Sequence, residues 1–292
     1  YLLSYDRLLG DPMRKVPARF REWIGILGEE NLSAVSITGK SGRQLAPLVG
    51  GEYENDFRCL VKAVAASHPE VRTIFEMGGE NAKVVRLQPA ADGSLSIRDY
   101  DTNGDCAAGT GSFIDQQAHR MKIEVEAIGD MVAQAASTAR IAGRCSVFAK
   151  SDMIHAQQKG YSPEEILKGL CEAVARNFKS NINKGKDPVP IVTLVGGLFA
   201  NAGVVRAIRN VFGFEEEQAV RLPGFAHMSA FGAAMVAAEA GRRRAVPGTF
   251  VSVAAGEEAT EQAFPAWPPL SKENVVFLRD RDEPPAAVSG RP

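Results

Sequence analysis

Two cysteines and three glycine turns are the residues whose types and spacing could do chemistry. Cys106 stands in the run Asn103-Gly104-Asp105-Cys106-Ala107-Ala108-Gly109-Thr110-Gly111-Ser112-Phe113, just before a helical pattern. Cys145 stands in Arg144-Cys145-Ser146-Val147-Phe148, also just before a helix. A thiolate is favoured at such a place by the helix dipole and by N–H groups that lack a partner within the helix. Both cysteines sit among small or polar neighbours. Cys59 lies instead with Phe57, Leu60 and Val61, and Cys171 with Leu167, Leu170 and Val174, so those two are expected to be small core residues.

The glycine turns are Gly78-Gly79, Gly109-Thr110-Gly111 and Gly196-Gly197. A phosphate needs close approach to backbone N–H groups, and a Cβ obstructs that approach. A helix N-terminus adds about half a positive charge, and Gly109-Thr110-Gly111 offers both features at one place. A single turn of this kind is most often only a tight turn. Three in one chain, each closing a strand or opening a helix, mark a candidate phosphate site. The chain has no GxxxxGK[ST] run and no GxGxxG after a strand, which excludes a P-loop and leaves a Rossmann site without support.

The charged neighbours have plain alternatives. Asp105 reads as a helix cap. Lys150 and Asp152 are solvated helix positions or site residues, with nothing in the sequence to choose between them. Lys83 is a strand-edge lysine or a phosphate partner. His119, His155 and His227 fall on helices or helix starts and are not read as metal ligands.

The elements that must position these residues follow from periodicity. Helices are expected over residues 15–28, 56–67, 125–139, 163–184, 201–212 and 227–240, and from Gly111 to about Met121. The 163–184 helix opens on Ser162-Pro163-Glu164-Glu165, a capping sequence. Strands are expected over residues 32–38, 72–77, 83–87, 95–100, 190–195 and 220–222. Strands and helices alternate, so the class is α/β.

With 292 residues the chain can bury a large core in two lobes. Its 34 basic and 35 acidic residues nearly cancel, so charge favours neither nucleic acid nor an anionic membrane as partner. No run of 18 apolar residues occurs. Four cysteines without a CxxC pair, in a chain this long, favour a reducing, cytoplasmic setting. The chain opens at Tyr1 inside a strand-like run, and a preceding segment is expected. The proline-bearing tail reads as a linker with a short strand over residues 274–279.

These motifs together resemble the activator ATPases of 2-hydroxyacyl-CoA dehydratases and the related benzoyl-CoA reductase ATPase subunits, the BadF/BadG/BcrA/BcrD type. The likeness rests on Phe75-Glu76-Met77-Gly78-Gly79-Glu80-Asn81-Ala82-Lys83, on Cys106 to Phe113, on Arg144 to Asp152, and on Val195-Gly196-Gly197-Leu198-Phe199-Ala200-Asn201. His227 to Ala234 resembles the helix that closes the second lobe, and the likeness runs from about residue 5 to 240. It implies an actin/hexokinase/Hsp70-like (ribonuclease H-like) fold of two lobes. Residues 1–100 would be the remainder of the N-terminal lobe, 101–245 the C-terminal lobe and 246–292 a linker.

The resemblance also implies roles. Glu76 and Asn81 would be catalytic. Gly78, Gly79, Gly109, Thr110, Gly111, Gly196, Gly197 and Asn201 would hold ATP or ADP with Mg2+. Cys106 and Cys145 would ligate one [4Fe-4S] cluster shared across a homodimer, or across two domains of a longer chain. Two thiolates from each half supply the four that such a cluster uses. The partner would be an acyl-CoA dehydratase or reductase component, which receives a low-potential electron.

The sequence departs from the family in two places. The first phosphate hairpin of such proteins would lie before Tyr1. Where many relatives have Gly-Gly-Gln-Asp-Ser, this chain has Gly78-Gly79-Glu80-Asn81-Ala82. Two other readings therefore stand beside the activator: a small-molecule (sugar) kinase of the same superfold, and a non-hydrolysing regulatory module of a larger activase-like chain.

Overall fold

The computed structural model describes residues 4–91, 93–104, 108–142 and 145–240. Cys106, Asp105, the linker and its expected strand at 274–279 lie outside them. The side chains of Ser146 and Val147 are likewise not described.

Two strand sets are present among the described residues. A short parallel pair joins β1 (Ser36–Ile37) to β2 (Glu52–Tyr53). Beside it α1 (Pro12–Leu27) presses Phe20 and Ile24 onto Val49, and α2 (Gly42–Leu45) follows the Gly39 turn. The strand expected over residues 32–38 shrinks to two residues.

The larger set is a five-stranded sheet. It contains β3 (Thr73–Met77), β4 (Ala82–Pro89), β5 (Leu95–Thr102), β6 (Val192–Val195) and β7 (Ala219–Arg221), in the order β5-β4-β3-β6-β7. The β3-β4-β5 meander is antiparallel, while β3, β6 and β7 run parallel. One sheet thus draws on residues 73–102 and 192–221, and the lobe boundary expected at residue 100 falls inside β5.

Period-2 alternation sends the sheet's side chains to two helical layers. Ile74, Val85 and Leu87 meet α3 (Asp56–Ser67) and α9 (Met228–Glu239) on one face. Phe75, Met77, Val84 and Leu194 meet α4 (Gly111–Met121), α7 (Pro163–Asn177) and α8 (Ala202–Phe212) on the other. The smaller α5 (Ile128–Ala133) and α6 (Ser146–Gln158) complete that second layer. The helix expected over 125–139 is shorter than its pattern, a single 3-10 turn followed by α5.

Local signals explain several boundaries. Asn55 caps α3 by accepting from Arg58 N–H at 3.1 Å. At α7, Ser162 Oγ accepts from Glu165 N–H and Glu165 Oε2 accepts from Ser162 N–H, a full capping box with Pro163 in the first turn. The 163–184 helix keeps its length but widens into a π-turn over Phe178–Ile182. Cys59 and Cys171 are buried core residues, as their neighbours predict.

Candidate functional site

The parallel strands β3 and β6 end side by side, and each ends in a glycine pair. In open α/β sheets ligands collect outside the carboxyl ends of such strands. A cleft of about 530 Å³ opens there, lined by Gly78, Gly79, Asn81, Gly39 and Lys40 among others. Gly196, Gly197, Phe225, Ala226, Met228, Ser229 and Ala230 also line it.

Glycine is required at Gly196. Its φ is +100°, and a Cβ there would sit 2.5 Å from the Met77 carbonyl oxygen. The turn can therefore pass against the end of β3 only without a side chain. At Gly79 the opposite holds, because a Cβ would meet nothing within 4 Å and the backbone faces open space. That is the surface a phosphate could approach.

The turn Gly78–Asn81 joins β3 to β4, with Gly78 N–H donating to Asn81 O at 2.8 Å. Its carbonyls are committed elsewhere. Gly78 O accepts from Gly111 N–H at 2.8 Å and Gly79 O from Ser112 N–H at 2.7 Å. Glu80 O accepts from Asn103 Nδ2 at 3.0 Å. In a trans peptide the next N–H points the opposite way. The N–H groups of Gly79, Glu80 and Asn81 therefore turn away from α4 and Asn103.

The third glycine turn stands behind this one rather than on the cleft wall. Gly111 packs against it so closely that a Cβ would lie 3.1 Å from Gly79 Cα. Gly109, at φ +82°, lets the chain pass Ile182, whose Cδ1 would be 2.9 Å from a Cβ. Thr110 is fully buried at the start of α4. Ser112 does reach the cleft. Asn201 does not line it. Its Oδ1 accepts from Gly203 N–H at 2.8 Å, so the residue caps α8.

Glu76 projects from β3 into the cleft on the α3 face. Lys83 of β4 lies on the same face and is ion-paired with Asp56 at the first turn of α3. Glu76 Oε2 is 3.4 Å from Lys83 Nζ but has no aligned hydrogen-bond donor. Burial pushes the Glu76 carboxyl up to about 7, against the pull of Lys83, with Asp56 adding to the rise. Burial pulls Lys83 down, yet the two carboxylates outweigh it and its pKa rises overall. The lysine expected at a strand edge is thus buried in a central strand, between β3 and β5.

Several cleft residues carry no motif that the sequence reveals. Asp56 reads as an ordinary acidic residue in a first helical turn. The segment before α1 lies over the cleft. Tyr5 stands against Gly197 and meets His227 edge-on with ring centroids 5.8 Å apart. Arg7 pairs with Asp115 at 2.6 Å.

Cys145 is the residue before α6, half-buried and free of disulfide. Helix α6 packs against α4, and Cys106 stands five residues before α4 begins. The two cysteine-headed helices are therefore neighbours. Among the described residues no three His, Cys, Asp or Glu side chains converge on a metal position, and no helix is long and apolar enough to cross a membrane.

The chain is 33% identical over 193 residues to the activator of lactoyl-CoA dehydratase of Anaerotignum propionicum, covering 65% of this chain and 70% of that protein. It is 27% identical over 187 residues to the (R)-2-hydroxyglutaryl-CoA dehydratase activating ATPase of Acidaminococcus fermentans, covering 64% and 69%. Among solved structures, the activator of 2-hydroxyisocaproyl-CoA dehydratase from Clostridium difficile, with bound ADPNP, superposes with a TM-score of 0.69. That match has 27% identity and covers 79% of this chain and 82% of that one. The fold is the actin-like α/β fold of these activators. The model of the BadF/BadG/BcrA/BcrD ATPase family matches residues 34–237, and the chain belongs to that family.

Proposed function

We propose that this chain binds ATP with Mg2+ in the cleft and works as the activator ATPase of a 2-hydroxyacyl-CoA dehydratase or acyl-CoA reductase. The phosphates sit on the Gly78–Asn81 turn, with Gly196 and Gly197 beneath the nucleoside. Glu76 holds a proton or a Mg2+-bound water at Oε2, the oxygen without an aligned hydrogen-bond donor. Hard cations of this kind take one or two carboxylates alongside substrate phosphates. Gly109, Thr110 and Gly111 support the phosphate turn from behind, and Asn201 fixes α8 below the Gly196-Gly197 turn.

The observation that carries this reading is the pair of hydrogen bonds from Gly111 and Ser112 N–H to the carbonyls of Gly78 and Gly79. They tie the nucleotide turn to the start of the helix that Cys106 precedes. Cys106 and Cys145 suit soft-metal ligation, and two thiolates from each of two halves make the four of a [4Fe-4S] cluster. A cluster so held would supply one-electron transfer at low potential to the acyl-CoA component. The residues of this chain would orient it through α4 and α6. A homodimer or two domains of a longer chain fit equally, in the cytoplasm.

The test is anaerobic reconstitution with iron and sulfide, followed by electron paramagnetic resonance with and without ATP, on wild type and Cys106→Ala. About four irons per dimer and loss of the signal in the variant are expected. A folded protein that never takes up iron overturns the electron-transfer reading.

Asn81 favours one second reading. It lines the cleft where many relatives carry an acid, so the domain could bind nucleotide without turnover. Nucleotide binding with no phosphate release from wild type, and release gained in Asn81→Asp, would select it.

A further inference from the structure

The cleft is lined by more acid than base. Among the described residues that line it, Asp6, Asp56, Glu76, Glu80 and Asp115 carry carboxyl groups, while Arg7 and Lys40 carry the cations. The two cations are held differently. Arg7 is paired with Asp115 at 2.6 Å and with Glu126 at 3.4 Å, so two carboxylates already neutralise it. Lys83, buried beside Glu76, is likewise taken by Asp56 and Glu76. Lys40 has a single ion-pair partner. Its Nζ lies 3.6 Å from Glu80 Oε2, too far for a hydrogen bond, and the two side chains are 60% and 63% exposed. Water screens such a pair, which therefore gives up little when it opens.

The pair spans the cleft. Lys40 stands on the turn after β1, and Glu80 on the Gly78–Asn81 turn between β3 and β4. The backbone that carries Lys40 is fixed on both sides. Thr38 Oγ1 donates to Glu54 O at 2.9 Å. Gly42 packs so close to Tyr53 that a Cβ would sit 2.8 Å from its ring. The ammonium, by contrast, rides on a flexible four-carbon stem with rotatable donors. A phosphate on the Gly78–Asn81 turn meets Glu80 as a like charge and Lys40 as an opposite one. Under a bound nucleotide the new pair is shielded from water, where a charge-assisted hydrogen bond is stronger than in the open cleft.

We propose that Lys40 is a nucleotide-binding residue that crosses to the phosphates, and that Glu80 holds it across the cleft until they arrive. This rests on the reading of the Gly78–Asn81 turn as the phosphate site. Lys40 supplies positive charge that the other lining residues have already spent. Glu80 opposes the same phosphates, so the empty cleft is closed by a pair that the ligand must part.

The test is the affinity of the full chain for Mg-ADPNP by isothermal titration calorimetry at one ionic strength. Lys40→Met weakens binding by about tenfold or more, the effect of one charge-assisted hydrogen bond. Lys40→Arg keeps the charge and stays within about threefold of wild type. Glu80→Gln removes the opposing charge and tightens binding by about threefold to tenfold. Lys62→Met makes the same change of net charge at a residue that does not line the cleft and pairs with Glu239, and it leaves affinity within about twofold. Melting temperatures of the Lys40 and Glu80 variants match wild type, because both side chains are exposed. Unchanged affinity in Lys40→Met overturns the proposal. So does an equal loss in Lys40→Arg, which would make the effect steric, or in Lys62→Met, which would make it one of overall charge. Unchanged or weaker binding in Glu80→Gln overturns the holding role of Glu80. A wild type that binds no Mg-ADPNP is a different failure, since it removes the phosphate reading and this inference with it.

Discussion

Glu76 Oε2 lies 3.4 Å from Lys83 Nζ, yet Lys83 gives its closer contact to Asp56. Of the two carboxylates, Glu76 is thereby the less satisfied. Asp56 both draws Lys83 away and adds negative charge nearby, and each effect favours the protonated Glu76. Asp56→Asn should release Lys83 to Glu76 and move the Glu76 titration from about 7 toward the ordinary glutamate range. Carbon-13 NMR of labelled glutamate side chains reads this directly. An unmoved midpoint would show that burial alone sets it.

The same carboxyl predicts a pH dependence of stability. Its folded pKa, about 7, is above the ordinary 4.5, so the folded state holds a proton that the unfolded state has lost between those values. Stability should therefore fall as pH rises through that window and change no further above it. Glu76→Gln removes the titrating group. The melting temperature of wild type relative to the variant should drop from pH 5 to pH 7. Parallel curves for the two proteins would contradict the raised pKa.

The sequence made the strand-turn-helix rhythm legible because local rules governed it. The Ser162 capping box and the apolar runs of β3 and β6 each declare themselves within a few residues. The three glycine turns were also visible as turns. Their division of labour was not, because it depends on which strands are neighbours. Gly79 and Gly196 line the cleft only because β6 pairs with β3 across more than a hundred residues. Gly109 proves to be a packing glycine, and Asn201 a helix cap. Asp56 and Lys83 were missed as a pair because their contact spans 27 residues and leaves no local pattern.

Gly196→Ala tests the closeness of the strand ends. The new methyl would need to share space with the Met77 carbonyl, and φ of +100° is strained for any L side chain. Backbone strain of about 1–3 kcal/mol adds to that clash. A loss of about 3 kcal/mol or more in denaturant unfolding is expected, with nucleotide affinity lowered as well. Gly79→Ala makes the contrast. Its Cβ meets open space, so it should cost little stability and act on nucleotide binding alone.

A charged knot at the far side of β4 predicts a different kind of fragility. Arg86 is buried and donates to Asp99 at 2.7 Å, Asp101 at 3.0 Å and Asn183 Oδ1 at 2.8 Å. Lys184 and Lys186 also converge on Asp101, and these partners hold its carboxyl far below the usual range despite burial. Asp101→Asn leaves the Arg86 charge under-compensated in the interior. A cost of about 3–5 kcal/mol is expected at neutral pH. The loss should shrink as pH falls below the ordinary carboxylate pKa, because the unfolded chain then binds a proton that folded Asp101 does not. Urea unfolding at pH 7 and below pH 3 measures both arms.

The described cysteines should separate cleanly by reactivity. Burial pushes the Cys171 thiol up to about 12, and burial also raises Cys59. Neither can supply thiolate to an alkylating agent in the native state at pH 8. Cys145 differs in being half-buried at the start of α6 rather than sealed in the core. Iodoacetamide on the metal-free protein should therefore modify Cys145 within minutes and leave Cys59 and Cys171 intact until denaturant is added. Peptide mass mapping distinguishes the three. If Cys145 resisted modification while the fold stayed intact, its thiol would be closed to solvent, and ligation of a group shared with a second half would require α6 to move.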